Sequence, residues 1–282
     1  MITDNNAYDI AMDVYEAGDV SASLSLPLGP STEGAPGGST ASSPRILSLV
    51  RTLQGVADDL QARQGASGGA ALRTVVTESG TFDDGFGGSF SYTLSVDDQT
   101  GDFTGTFTFA DFHGDAGMSM SGSMVASGNF DIAAGTFIRL RFSFPSLTIT
   151  DGASSATASG SIDLWAGNPS TAIVNLYLAD DFTGKTVWID HFTFNVTEGA
   201  GFSDVTESGT IYLHDYGFVV VSTATPFTFA TGSATPSSGV LVITGRSNGK
   251  VRLTAIDTTT CSIDVDADGD GVYESTYLYP WS

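Results

Sequence analysis

From about residue 74 to the C-terminus, apolar and polar residues alternate with a period of two, the spacing of half-buried β-strands. In 103–109, Phe103, Phe107 and Phe109 share one face with Gly105, while Thr104, Thr106 and Thr108 take the other. In 138–144, Ile138, Leu140, Phe142 and Phe144 oppose Arg139, Arg141 and Ser143. One apolar and one wet face is what an antiparallel sheet allows. Further strands are expected over 89–96, 118–126, 146–150, 157–164, 172–178, 186–196, 206–214, 218–222, 227–230, 239–244, 250–256, 260–266 and 272–279. Turn signals such as Asp83-Asp84-Gly85, Asp151-Gly152, Thr183-Gly184 and Ser247-Asn248-Gly249 separate them at short intervals, so a meander is expected rather than βαβ units.

The first third of the chain follows another rhythm. Ala7, Ile10, Ala11, Val14 and Tyr15 recur at helical steps within 3–17, and Gly18 is a natural stop. Pro27, Pro30 and Pro36 lie among Gly, Ser and Thr with little to bury, so 27–43 reads as a linker. Ser43 suits a helix cap and Pro44 its first position. Ile46, Leu49, Val50, Leu53, Val56, Ala57 and Leu60 then form one stripe, which predicts a long amphipathic helix over 44–64. The expected organisation is a helical segment over 1–26, the linker, and a single β domain over 44–282 that includes the second helix. The expected fold is mainly β: an antiparallel meander forming a curved sheet, half-barrel or barrel, with two N-terminal helices.

A weak repeat runs through the strands: Ser79-Gly80-Thr81-Phe82, Ser121-Gly122-Ser123-Met124, Ser159-Gly160-Ser161-Ile162 and Ser208-Gly209-Thr210-Ile211. Its spacing is too variable for a solenoid or propeller, but glycines inside strands suit strong curvature.

Charge narrows the possible partners. The 282 residues carry a net charge of −22, and the ten cations never form a basic run, which excludes nucleic acid and anionic membrane surfaces as expected partners. No apolar stretch approaches the ~20 residues of a spanning helix, although a membrane β-barrel shares the alternation. The chain opens without a basic segment followed by an apolar one, so no signal peptide is read at its start. With one cysteine, Cys261, no intrachain disulfide forms, and that residue is expected to be packed rather than reactive.

The sharpest chemical signal is CSIDVDADGDGVYESTY, where Asp266, Asp268 and Asp270 are spaced by two and followed by Gly271 and Glu274. Oxygens at alternate positions can converge on one cation, and glycine permits the sharp turn. This segment resembles the DxDxDG calcium loops of the EF-hand and dockerin type, with Tyr277 where a bidentate Glu would stand and strand-like flanks in place of helices. The resemblance implies calcium as the cofactor, held by Asp266, Asp268, Asp270 and Glu274 with the carbonyl of Val272, and clamping the last hairpin. An ion-free Asp/Gly hairpin turn is the alternative reading. All three histidines neighbour carboxylates: His113 lies between Asp111 and Asp115, His191 follows Asp190, and His214 precedes Asp215. A joint metal site would require them to meet in space; exposed strand positions explain them equally. No Gly-x-Ser-x-Gly elbow or phosphate-binding P-loop occurs, and no catalytic residue is assigned.

The N-terminal TDNNAYDIAMDVYEA, the linker, the Gly-rich meander, SSGVLVITGRSNGKVRLTAID and DVDADGDGVYES together resemble uncharacterised proteobacterial secreted or lipoprotein-like envelope proteins. That resemblance implies an extracytoplasmic location, periplasmic, outer-membrane-associated or secreted, with a signal peptide and lipid-bearing cysteine preceding this sequence. The expected function is a non-enzymatic envelope protein whose β scaffold serves binding or assembly. Phe107, Phe109, Phe142, Phe144, Phe192 and Phe194 would line a curved sheet able to hold an apolar small molecule, or fill a core without one. The alternatives are a structural or adhesive surface protein, whose Thr/Ser-rich outer face and sheet edges contact neighbours or glycans, and a hydrolase using carboxylates or a His-Asp site.

Overall fold

The computed structural model describes residues 2–12, 14–15, 75–97, 99–113, 118–131, 136–151, 154–181 and 184–281. Fourteen strands form one antiparallel sheet in strict chain order. They are β1 (Val75–Asp83), β2 (Ser89–Asp97), β3 (Asp102–His113), β4 (Met118–Asp131), β5 (Thr136–Asp151), β6 (Ser154–Trp165), β7 (Ser170–Asp180), β8 (Thr186–Gly199), β9 (Phe202–Leu213), β10 (Gly217–Ala230), β11 (Ser238–Thr244), β12 (Lys250–Ala255), β13 (Thr260–Asp266) and β14 (Ser275–Pro280).

The meander is as expected, and the alternation picks the buried face correctly. In β3, Phe103, Phe107 and Phe109 are buried while the intervening threonines are exposed. Two other expectations are corrected. The sheet is open, not a barrel: among the described residues β1 pairs only with β2, and β14 only with β13. Eight strands already give a barrel interior that side chains can just fill, so closing fourteen around this apolar face would leave a void needing cover. In place of two N-terminal helices, one short helix within 7–15 is found among the described residues; the expected 44–64 helix and the 27–43 linker lie outside them.

That short helix buries Ala7, Ile10, Ala11 and Val14, with Ile2 just before it, in the same apolar cluster as the inner face of the sheet. Asn6 accepts the Thr3 amide through its side chain at the helix start. Tyr8 packs on Tyr279 at 4.3 Å between ring centroids, and Tyr15 on Trp281 at 5.0 Å and on Phe227 at 5.9 Å. The helix thus covers the β10–β14 end of the sheet. Each large apolar side chain so buried stabilises by ~1.5–3 kcal/mol.

Bulges set the shape of the rest. One extra residue interrupts β3 between Phe109 and Phe112, β5 between Phe144 and Leu147, and β8 near His191, while β10 carries a longer irregularity between Ser222 and Phe227. The sequence pattern shows two of these as breaks, because 138–144 and 146–150 belong to the single strand β5, and 218–222 and 227–230 to β10. Pro145 and Pro226 lie in those breaks, where the missing proline amide costs no regular ladder bond. Opposite the bulges, on β4, β6, β9 and β11, stand Gly122, Gly160, Gly209 and Gly239. Three of the four members of the weak Ser-Gly repeat are therefore on a fold line across the sheet, with Ser238-Gly239 as an unforeseen further member, while Gly80 on β1 pairs with Tyr92 in regular register. Gly160 shows the reason: its φ is +147°, and a Cβ there would sit 2.0 Å from the Asn175 carbonyl oxygen. A bulge bends its strand, and an inner-face glycine lets the neighbour follow.

Gly160→Ala is expected to destabilise by about 2 kcal/mol or more, through backbone strain plus a collision with main chain. Gly232→Ala, at a turn with φ +79° and open space around the built Cβ, bears strain alone and should cost about half as much. Urea midpoints of the two variants check the difference.

Candidate metal centre

The segment 267–274 joins β13 to β14, and the hairpin is fixed on both sides before any ligand is considered. Val265 pairs with Ser275, and the Glu274 amide donates to the Val265 carbonyl at 2.9 Å. Between these points the carboxylates organise the turn. Asp266, fully buried, accepts the Gly269 amide at 2.7 Å on one oxygen and the Gly271 amide at 3.1 Å on the other. Asp268 accepts the Asp270 amide at 3.1 Å, and Asp270 accepts the Val272 amide at 2.7 Å. Glu274 closes the loop by accepting the Ala267 amide at 3.2 Å. Gly269 and Gly271 have φ of +79° and +93°, which aspartates at those positions would adopt only with strain.

One carboxylate oxygen from each of Asp266, Asp268, Asp270 and Glu274 lies within 4.8 Å of the others. Among the described residues this is where such donors gather. Four hard oxygen donors converging at this distance could coordinate a divalent cation. The four acids named from their spacing thus lie together; Val272 is on the same loop, 60% exposed, with its amide turned to Asp270.

The alternation did not reveal what supports this loop from the outer face. Arg252 on β12 is directly opposite Asp264 on β13, and its Nε donates to that carboxylate at 2.9 Å. Thr276 on β14 donates its hydroxyl to the other Asp264 oxygen at 2.6 Å. The Arg252 guanidinium also lies 4.2 Å from the centre of the Tyr273 ring. Burial pushes the Tyr273 hydroxyl up, Arg252 pulls it down, and Asp266 and Asp264 add to the rise. Outward alternation of Arg252 and Asp264 is readable in sequence; their register, and hence their meeting, is not.

The histidines do not converge on a joint site. His113, at the end of β3, meets Asp84 in the β1–β2 turn: the Asp84 carboxylate accepts the His113 amide and contacts its Nδ1, both at 2.8 Å. The same carboxylate accepts the Phe86 amide at 2.7 Å and the Gly88 amide at 2.9 Å. Burial raises the Asp84 pKa, but those hydrogen bonds outweigh it and hold the carboxyl well below the usual range. His191 sits on the β8 bulge with φ +48°, contacting Asp190 at 2.6 Å, and His214 is in the β9–β10 turn. Cys261 is fully buried, and burial pushes its thiol pKa up, the opposite of an activated nucleophile. Comparison of this chain with known protein families, curated proteins and solved structures gives no match.

Asp266→Asn should destabilise by about 1–3 kcal/mol even in chelator, because one of two amide acceptors becomes a donor in a buried turn. Denaturant midpoints with EDTA check it. Asp84→Asn should lower the Tm at pH 7. Because the folded-state pKa of Asp84 is depressed, its stabilisation is complete above the unfolded carboxylate pKa of ~4 and is lost as pH falls through the folded value, so the gap between wild type and variant should close in acid.

Proposed function

We propose that this chain is a structural, adhesive surface protein of the extracytoplasmic space, non-enzymatic, whose open sheet is extended by neighbours at its edges. The observation carrying this reading is the unclosed fourteen-strand order, in which β1 and β14 each keep one edge without a strand partner among the described residues. An edge strand offers a row of backbone donors and acceptors that another strand can use. β14, Ser-Thr-Tyr-Leu-Tyr-Pro, bears no charge to repel such a strand, and Leu278 on it is 66% exposed.

The reading is favoured over an apolar-ligand scaffold by the fate of the expected lining. Phe107, Phe109, Phe142, Phe144, Phe192 and Phe194 are all buried within the core cluster. The hollow found over β1–β3, of about 430 Å³, is lined instead by hydroxyls including Ser79, Thr81, Ser91, Thr93, Thr106 and Thr108. Calcium is the cation we assign to the 266–274 loop, since an all-oxygen, flexible set suits its size better than that of magnesium. There it would clamp β13 to β14 and hold the edge strand in place.

Sedimentation velocity over a wide concentration range at ~0.15 M salt, where exposed charges are screened beyond ~8 Å, tests the assembly. Concentration-dependent growth is expected, weakened at least about tenfold by Leu278→Lys with little change in monomer stability. A chain that stays monomeric throughout would sink the reading. In a parallel titration, millimolar calcium should raise the Tm more than magnesium does, and Asp268→Asn should abolish the difference.

A further inference from the structure

On the outer face of the sheet, aromatic side chains from four adjacent strands line up at one place. Tyr177 on β7 is directly opposite Trp188 on β8, Trp188 is opposite Tyr212 on β9, and Tyr212 is opposite Phe218 on β10. Four aromatic side chains thus form one transverse ladder over four adjacent strands, roughly 14 Å long at ~4.8 Å per strand. They point away from the core: Tyr177 is 44% exposed, Trp188 43% and Phe218 51%. Three of them also hold one another in place. Trp188 meets Phe218 edge-on at 5.9 Å, and Tyr212 lies 4.9 Å from Phe218. Such ring contacts fix orientation, so little further entropy is lost when a ligand settles on them.

The flanks decide the kind of ligand. On one side of the ladder the next outward positions are Asn175, Asp190, Thr210 and Val220. At the turn end, Lys185 is ion-paired with Asp215. The ladder's surroundings are therefore amide, hydroxyl and carboxylate groups with one exposed valine and one ion-paired lysine, in a chain of net charge −22. An anionic lipid surface is repelled, and a second copy would bring the same acids against these. A ligand that matches has no negative charge, apolar faces to lie on rings, and a polar rim for the flanking acceptors and donors. A pyranose ring has that construction, with axial C–H groups on its faces and hydroxyls around its edge.

We propose that Tyr177, Trp188, Tyr212 and Phe218 form a binding platform for a neutral polysaccharide strand running across β7–β10. The proposal supplies a ligand class to the adhesive reading and rests on it, but it uses a face separate from the β14 edge.

Affinity electrophoresis of the full chain in native gels containing cellulose derivative, glycol chitin, β-1,3-glucan, amylose or mannan is the test. Retardation by at least one is expected, weakened about tenfold or more by Trp188→Ala and by Phe218→Ala, and largely kept by Trp188→Phe. Trp165→Ala, which removes the exposed outer-face ring packed on Arg139 at 4.3 Å, should leave it unchanged. Circular dichroism melts confirm that each variant folds. No retardation in any of the five gels, or retardation indifferent to both ladder variants, would overturn the proposal. So would ladder variants that change sedimentation and not retardation, since the face would then serve a second copy. Edge assembly is read independently through Leu278→Lys, so either idea can fail alone.

Discussion

The rest of this structure depends on the need to bury one apolar face of a very long antiparallel sheet. Every strand from β2 to β13 contributes to a single cluster, whereas the short helix covers only the C-terminal end. A flat sheet cannot concentrate its face in this way. The bulges on β3, β5, β8 and β10, each set against an inner-face glycine on β4, β6, β9 or β11, bend the strands where side chains on both sides of the bend still point inward. In β5, for example, Phe144 and Leu147 are both buried although an odd number of steps separates them, because the extra residue restores the phase.

Among the described residues, several acids at turns are engaged locally. Asp84, Asp97 and Asp257 each accept amides of the turns they open. Asp266 does the same from a fully buried position. Carboxylates thus hold the hairpin ends in the absence of disulfides. The 266–274 loop is the place where this habit is concentrated enough to offer a cation four ligands. Arg252, Asp264 and Tyr273 tie that loop to β12 and β13, so the placement of the loop and of the β14 edge are linked.

The sheet edge and the aromatic ladder share an origin. A sheet that buries only one face leaves the other free to evolve as a contact surface, and a sheet that does not close leaves its ends free. The hydroxyls of Thr77 with Ser95, and of Ser79 with Thr93, show the ordinary state of the outer face, paired across strands at 3.0 and 3.1 Å. The Tyr177 to Phe218 ladder departs from that state by concentrating aromatic surface where water is the neighbour.

Local spacing by itself determined the strand-rich meander and the identity of the buried face, through period-two alternation, and the gathering of four acids in the C-terminal loop, through their alternate positions at a turn. These are local properties: side chains alternate by strand geometry, and a tight turn brings together residues that are near in sequence. Three- and four-residue steps also placed an N-terminal helix through Ile10, Ala11 and Val14. Register across strands was not legible, and register decides that Arg252 meets Asp264, that His113 meets Asp84, and that four separate aromatics align. Closure was misjudged for the same reason, because alternation is identical in a barrel and in an open sheet. Whether β1 reaches β14 depends on bends summed over every strand between them, and only the tertiary structure carries that sum.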